Sequence, residues 1–302
     1  MKNIIQRAIT GGLFVAFIII GSLWNENSFA FVFALLCGLT IRELAQLVNQ
    51  QKRVNIPVNT LTFWGIYLFL AVHFYMRGIS WDEDDRSVVL YFIPYAGFLM
   101  YVLLRELYKK QENPIHNWAY NILTQFMVAL PFSLLNVLAY YKGETAGFAP
   151  YYPEVALAVF IFIWINDTGA FCIGSLIGRH PLFPRVSPKK SWEGAFGGGL
   201  LTILAAYLFY TVSDIQEPLW RWIGLAVVVV PASIYGDLNE SLLKRHLGIK
   251  DSGNTLPGHG GLMDRMDSAL LAIPAAALYM FVTSPEVMEL IKEVVKHVSC
   301  NN

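Results

Sequence analysis

The sequence predicts an all-α, polytopic integral membrane protein of about nine transmembrane helices with a polar site facing the cytoplasm. Three observations carry that prediction. Hydrophobic residues make up 55% of the chain and charged residues 15%, against about 25% charged in ordinary soluble domains. Apolar runs near the spanning length, roughly 17–25 residues, recur at about 8–24, 28–48, 60–76, 88–104, 119–141, 155–175, 195–213, 218–236 and 268–283, the last being short for a span. With the N-terminus inside, the inner segments hold 16 of the 22 Lys and Arg residues, the asymmetry that sets membrane orientation.

The connections are short, so residues 1–302 read as a single membrane-embedded domain. Its N-terminal spans cover about 8–141 and its C-terminal, chemistry-bearing part about 155–283. A net charge of +0 argues against a nucleic-acid partner. Cys37, Cys172 and Cys300 lie far apart with no CxxC or Cys/His spacing, so neither a disulfide framework nor a zinc site is expected. Lys2 and Arg7 precede an apolar run that lacks a clean small-residue cleavage site, which reads as a retained first span rather than a signal peptide.

Along the chain, Arg42 and Glu43 stand near the inner end of the second span. They are either a snorkelling Arg with a neighbouring carboxylate or, for Glu43, support for a functional site. The acidic run Asp82-Glu83-Asp84-Asp85 falls outside. The sixth span ends in Asn166 and Asp167, polar groups deep enough to need partners, either across helices or on a metal or nucleotide. Ala170, Gly174 and Gly178, then Gly194 and Gly198, form small-xxx-small faces suited to close helix packing. In the inner loop RHPLFPRVSPKKSWE, Ser187-Pro188 reads as an N-cap with Pro at the first helical position. That helix start would aim free N–H groups at an anion beside Lys189, Lys190 and Ser191. The alternative is a basic anchor on lipid headgroups.

The most informative stretch is Ser241 to Asp267, SLLKRHLGIKDSGNTLPGHGGLMDRMD. It sets cations suited to phosphates beside carboxylates suited to a divalent metal. If the eighth span continues as a helix, Asp237, Glu240 or Ser241, and Lys244 share one face, as an ion pair or as joint metal and phosphate contacts. The chain leaves the helix after Gly248, and Pro257-Gly258 marks a turn. Asp264, Asp267 and Ser268 share a face as the last span begins. Two carboxylates so placed suit Mg²⁺, which prefers oxygen ligands, although acids at a helix start are also favoured by its dipole. His259, between glycines, is either structural or a phosphate contact. The tail 284–302 reads as a weakly amphipathic helix.

In Ser241, Lys244-Arg245, Lys250-Asp251, Gly253, Leu256-Pro257, His259-Gly260-Gly261 and Asp264-Arg265-x-Asp267, the stretch resembles the signature of phosphatidate cytidylyltransferases, also called CDP-diacylglycerol synthases. The spacing agrees through all 27 residues. Asn166-Asp167 and the loop Ser187–Ser191 are similar to that family too, while the N-terminal third resembles it in hydropathy alone. The resemblance implies an enzyme that joins CTP to phosphatidate and releases pyrophosphate. It implies Mg²⁺, with K⁺ assisting, and a homodimer in the inner membrane with its active site on the cytoplasmic side. It places metal and catalytic roles on Asp237, Asp264 and Asp267. Lys244 and Arg265 are expected to serve catalysis. Asn166, Asp167, Lys189, Lys190, Ser191, Ser241, Lys250, Asp251 and His259 are expected to bind substrate.

Two other classes predict different features. A P-loop enzyme would carry GxxxxGK[ST], which is absent; a lipid kinase without that loop would need a base for its acceptor hydroxyl and would release CDP rather than pyrophosphate. A transporter would carry charges at mid-span and inverted repeats, whereas here the charges gather at the inner ends and loops.

Overall fold

The structure, a computed structural model, describes residues 2–79, 88–109, 113–141, 151–213, 217–249, 251–253, 260–285, 287–290 and 292–293, the side chains of 2–8, 79 and 88 excepted. Lys250, His259, the acidic run 82–85, the Pro257-Gly258 turn and most of the tail therefore lie outside the described residues.

Helices dominate because a backbone in hydrocarbon must satisfy its own polar groups. They run α1 (Lys2–Trp24), α2 (Glu26–Val48), α3 (Val58–Ile79), α4 (Val88–Tyr108), α5 (Pro114–Thr124), α6 (Leu130–Ala139), α7 (Glu154–Ile177), α8 (Trp192–Val212), α9 (Leu219–His246) and α10 (Met263–Val282). A π-helical turn, Gln125–Ala129, joins α5 and α6 into one rod ahead of Pro131, whose ring cannot fit a regular interior turn. Among the described residues eight rods are long and apolar enough to cross a membrane, and the apolar part of α1, Ile9–Trp24, is shorter. The protein is thus polytopic, as the hydropathy pattern predicts.

Local chemistry sets several boundaries. Asn25 caps α2 reciprocally with Ser28, its side chain accepting the Ser28 N–H at 2.8 Å while the Ser28 hydroxyl accepts the Asn25 N–H at 3.0 Å, a capping box. Gly248 leaves α9 with φ +72°, a conformation that favours glycine. Helix α9 runs ten residues past the expected end of its span, to His246. Helix α10 starts at Met263, which places Asp264 and Asp267 in its first two turns.

One local expectation fails. Ser187-Pro188 does not start a helix. Residues Pro181–Phe183 (β1) and Ser187–Ser191 (β2) form an antiparallel hairpin. The cap falls at Ser191, whose hydroxyl accepts the Gly194 N–H at 3.2 Å. Glu193 closes the hairpin by accepting the N–H groups of Arg179 and His180 and pairing with the His180 ring at 2.5 Å. A two-stranded ribbon tolerates Pro188 because its outer edge needs no N–H donor. Lys189 and Lys190 consequently stand on a strand and not in a helical first turn.

A single apolar core runs from Ile18 on α1 to Met280 on α10. Phe33 stacks on Phe160 at 5.6 Å and Phe29 meets Phe33 at 4.6 Å, tying α2 to α7. The small-residue faces act as expected: a Cβ on Gly198 would lie 2.9 Å from the Ala170 backbone nitrogen, and one on Gly194 would lie 3.1 Å from the Gly174 Cα, so α7 and α8 touch backbone to backbone. Gly236 does the same for α9 and α10, since its Cβ would lie 2.6 Å from the Asp267 carbonyl oxygen. That approach brings the acids on the two helices together.

Candidate active site

Helices α7, α9 and α10 and the strand β2 enclose a cavity of about 550 Å³. Helix α9 contributes from the part that runs past its apolar stretch and α10 from its first turns, whereas α7 contributes from its middle: it continues to Ile177, so the sixth span does not end at Asn166 and Asp167 as their polarity suggests. Helix α7 supplies Asn166 and Asp167, β2 supplies Lys189, Lys190 and Ser191, α9 supplies Asp237, and α10 supplies Asp264, Arg265, Asp267 and Ser268. The remaining lining is mostly apolar and includes Ala170, Phe171, Ala195 and Ile234.

The carboxylates are arranged in two groups. Asp237, Glu240 and Asp267 can each present one oxygen such that all three lie within 4.8 Å of one another. At that spacing, in an effective dielectric near 20, each pair of full charges repels by about 3 kcal/mol, so the cluster calls for cations. Lys190 supplies one, 2.5 Å from Asp237, and the Ser241 hydroxyl donates to Asp237 at 3.2 Å. The second group centres on Asp264. Its carboxylate accepts from Lys244 at 2.6 Å, from the Ser252 N–H at 3.0 Å and from the Gly261 N–H at 2.8 Å. Lys244 joins the two groups, because its ammonium also lies 2.8 Å from Glu240.

The residues singled out from sequence divide accordingly. Asn166, Asp167, Lys189, Lys190, Ser191, Asp237, Asp264, Arg265 and Asp267 all meet at the one cavity. Ser241 and Lys244 stand behind its wall, bonded to Asp237 and Asp264. Asn166 also makes the cross-helix bond, donating to the Ser233 hydroxyl at 3.2 Å, so both readings of that residue coexist. Asp251 is exposed and is not among the residues lining the cavity. Glu240 takes the third place in the carboxylate cluster, where the sequence reading put Asp264. The available signal was the Asp237-x-x-Glu240 spacing, which the sequence left undecided between Glu240 and Ser241. Glu193, which shapes the hairpin, carries no distinguishing signal in the sequence, since an acid two residues into a helix is common.

A second hollow of about 380 Å³ adjoins the first and shares Ala195 and Ile234 with it. It lies between α8 and α9 and is lined by apolar residues such as Phe196, Leu200, Ile203 and Val230. A chamber lined by charged groups therefore adjoins an oily groove between two helices.

The sequence also has relatives among known proteins. The profile of the Cytidylyltransferase family covers residues 5–283. A phosphatidate cytidylyltransferase of Staphylococcus saprophyticus is 40% identical over 240 residues, 80% of this chain and 85% of its own. Proteins of the same name from Haemophilus influenzae and Staphylococcus epidermidis are 32% and 30% identical, covering 83% and 84% of this chain and 90% and 89% of theirs.

Proposed function

The chain belongs to the cytidylyltransferase family, and from that premise we propose that it is a phosphatidate cytidylyltransferase, a membrane nucleotidyltransferase that converts CTP and phosphatidate into CDP-diacylglycerol and pyrophosphate for phospholipid synthesis. The observation that carries the reading is the pairing of two spaces: five carboxylates and four cations at or beside a cavity of about 550 Å³ that adjoins an apolar groove. Such a pair of spaces suits a substrate with a phosphate at one end and acyl chains at the other.

The phosphate of phosphatidate is already anionic at neutral pH, so attack needs no strong general base. An oxygen of that phosphate forms a bond to the α-phosphorus of CTP while the α–β bridging bond breaks and pyrophosphate leaves. The obstacle is repulsion between anions. Lys189, Lys190 and Arg265 line the cavity and are assigned to the phosphates, Arg265 with its planar fork and the lysines as point charges. Lys190, held by Asp237, is placed where it can neutralise charge gathering in the cavity. Asn166 and Asp167 are assigned to nucleotide contact.

We assign Mg²⁺ to the carboxylates. The donor set fits a hard cation: three acids, all oxygen donors, within 4.8 Å of one another, with Asp237 and Asp267 facing the cavity. Asp237, Glu240 and Asp267 would hold the ion, with Asp264 alongside. When bound, it supplies Lewis-acid stabilisation of charge on the α-phosphate and the leaving group. A supporting K⁺, a homodimer and an inner-membrane setting come from the family resemblance. The N-inside orientation, with the cavity toward CTP in the cytoplasm, is supported by the Lys and Arg distribution.

The deciding experiment incubates purified protein with labelled CTP, phosphatidate and Mg²⁺ and identifies the products. CDP-diacylglycerol with pyrophosphate is expected. A phosphorylated lipid with CDP would show a kinase instead, and no product would remove the assignment.

A further inference from the structure

We propose that Glu43, on α2 in the N-terminal half, is a positioning residue for this reaction: it holds the two backbone stretches that seat Asp264. Glu43 is 209 residues from Ser252 and 219 from Leu262 in sequence, and it is not among the residues lining the cavity, so it acts through others. Its side chain is buried, with 7% of the residue exposed. One carboxylate oxygen accepts the Ser252 hydroxyl, and the other accepts the Leu262 N–H at 2.8 Å.

The same two stretches serve Asp264 from the other side. Ser252 gives its hydroxyl to Glu43 and its N–H to Asp264. At the neighbouring stretch the Leu262 N–H goes to Glu43 and the Gly261 N–H to Asp264. Residues 252 and 261–262 are thus clamped between two carboxylates, one from each half of the chain. Glycine at 261 is required by the clamp, because a Cβ there would overlap the Glu43 carboxylate, and one on Gly253 would come within 3.0 Å of it. A buried carboxylate is costly unless its oxygens are satisfied. Here its acceptors are used on the segment that orients a cavity-lining acid. Asp264 then sets Lys244, and Lys244 sets Glu240 of the carboxylate cluster. Glu43 is therefore the far end of a chain of bonds that reaches the site without touching substrate.

The inference rests on the cytidylyltransferase reading for its kinetic arm, while its amide-exchange arm is independent of it. The experiment compares full-length wild type, Glu43→Ala and Glu43→Gln, with Arg42→Ala as a control for an exposed neighbour. Hydrogen exchange of peptides spanning 251–265 is measured without nucleotide or metal, then steady-state kinetics with CTP and phosphatidate. For Glu43→Ala, exchange at 251–253 and 260–262 is expected to rise about tenfold and kcat to fall at least about tenfold, with KM for phosphatidate changed less than about threefold. Glu43→Gln is expected to keep most of both, since its amide can accept the Leu262 N–H and meet the Ser252 hydroxyl. Unchanged exchange in Glu43→Ala would overturn the proposal. So would a Gln variant as impaired as the Ala variant with the same drop in thermal stability, which would mark a fold residue. A wild type without cytidylyl transfer would remove the reading of function, and the exchange data alone would then decide the clamp.

Discussion

Lys244→Met removes an ammonium that bonds both Glu240 and Asp264 and leaves its methylenes' packing nearly intact. The ion pairs are short, 2.8 and 2.6 Å, and the partners' side chains are only 1% and 8% exposed. At those distances an effective dielectric near 20 gives about 6 kcal/mol of gross attraction per pair. Most of that is offset by the cost of bringing the charges out of water, and removing one partner of a buried pair typically costs about 3–5 kcal/mol. Asp264 keeps its two backbone N–H donors, so the low end, about 3 kcal/mol, applies. If the loss falls on the transition state, it lowers kcat/KM by about 150-fold. The assay is CDP-diacylglycerol formation by purified Lys244→Met, Asp264→Asn and the double variant. In the Asp264→Asn background the lysine has one fewer charge to balance, so its loss is expected to cost about 1–2 kcal/mol less. A Lys244→Met enzyme within about threefold of wild type, or a cycle additive within about 0.5 kcal/mol, would refute the bridging role.

Asp237→Asn, Glu240→Gln and Asp267→Asn are each expected to reduce kcat by about 100-fold or more and to raise the Mg²⁺ needed for half-activation, read by Mg²⁺ titration after chelation. Wild-type activity should vanish with the chelator and return with Mg²⁺. Gly199→Leu, whose added Cβ would lie 3.4 Å from Val230 in the apolar groove, is expected to lower kcat/KM several-fold for long-chain phosphatidate and little for a dihexanoyl substrate. Equal losses on both would remove the groove from acyl-chain binding. Arg221→Met breaks the buried pair with Glu217, 2.5 Å long and 1% exposed on both sides. It should lower stability by about 3 kcal/mol, seen as an earlier thermal transition in detergent, with kcat per folded molecule unchanged because the pair lies outside the cavity.

Much of this protein was legible in one dimension. Partition between lipid and water depends on composition averaged over a helix length, so the rods at Glu26–Val48 and Glu154–Ile177 could be placed within a few residues. The glycine faces of α7 and α8 were legible for a similar reason, since spacing four apart sets one stripe on a helix. The stretch from Ser241 to Asp267 announced its chemistry by residue type. Local competition was harder to judge: Ser187 and Ser191 both offer a capping oxygen, and only pairing with β1 and the Glu193 bonds decided for Ser191.

The amino-acid order by itself determined that the chain is a polytopic membrane protein, and that acids and lysines suited to phosphate chemistry follow the eighth span. The tertiary structure decided which of those acids face one another. Glu240 meets Asp237 and Asp267 because Gly236 lets α9 and α10 approach at backbone distance, and Asp264 turns to Lys244 because two N–H groups hold it there. No periodicity along the chain encodes that choice. It depends on the crossing of helices far apart in sequence, as does the reach of Glu43 across 209 residues to Ser252.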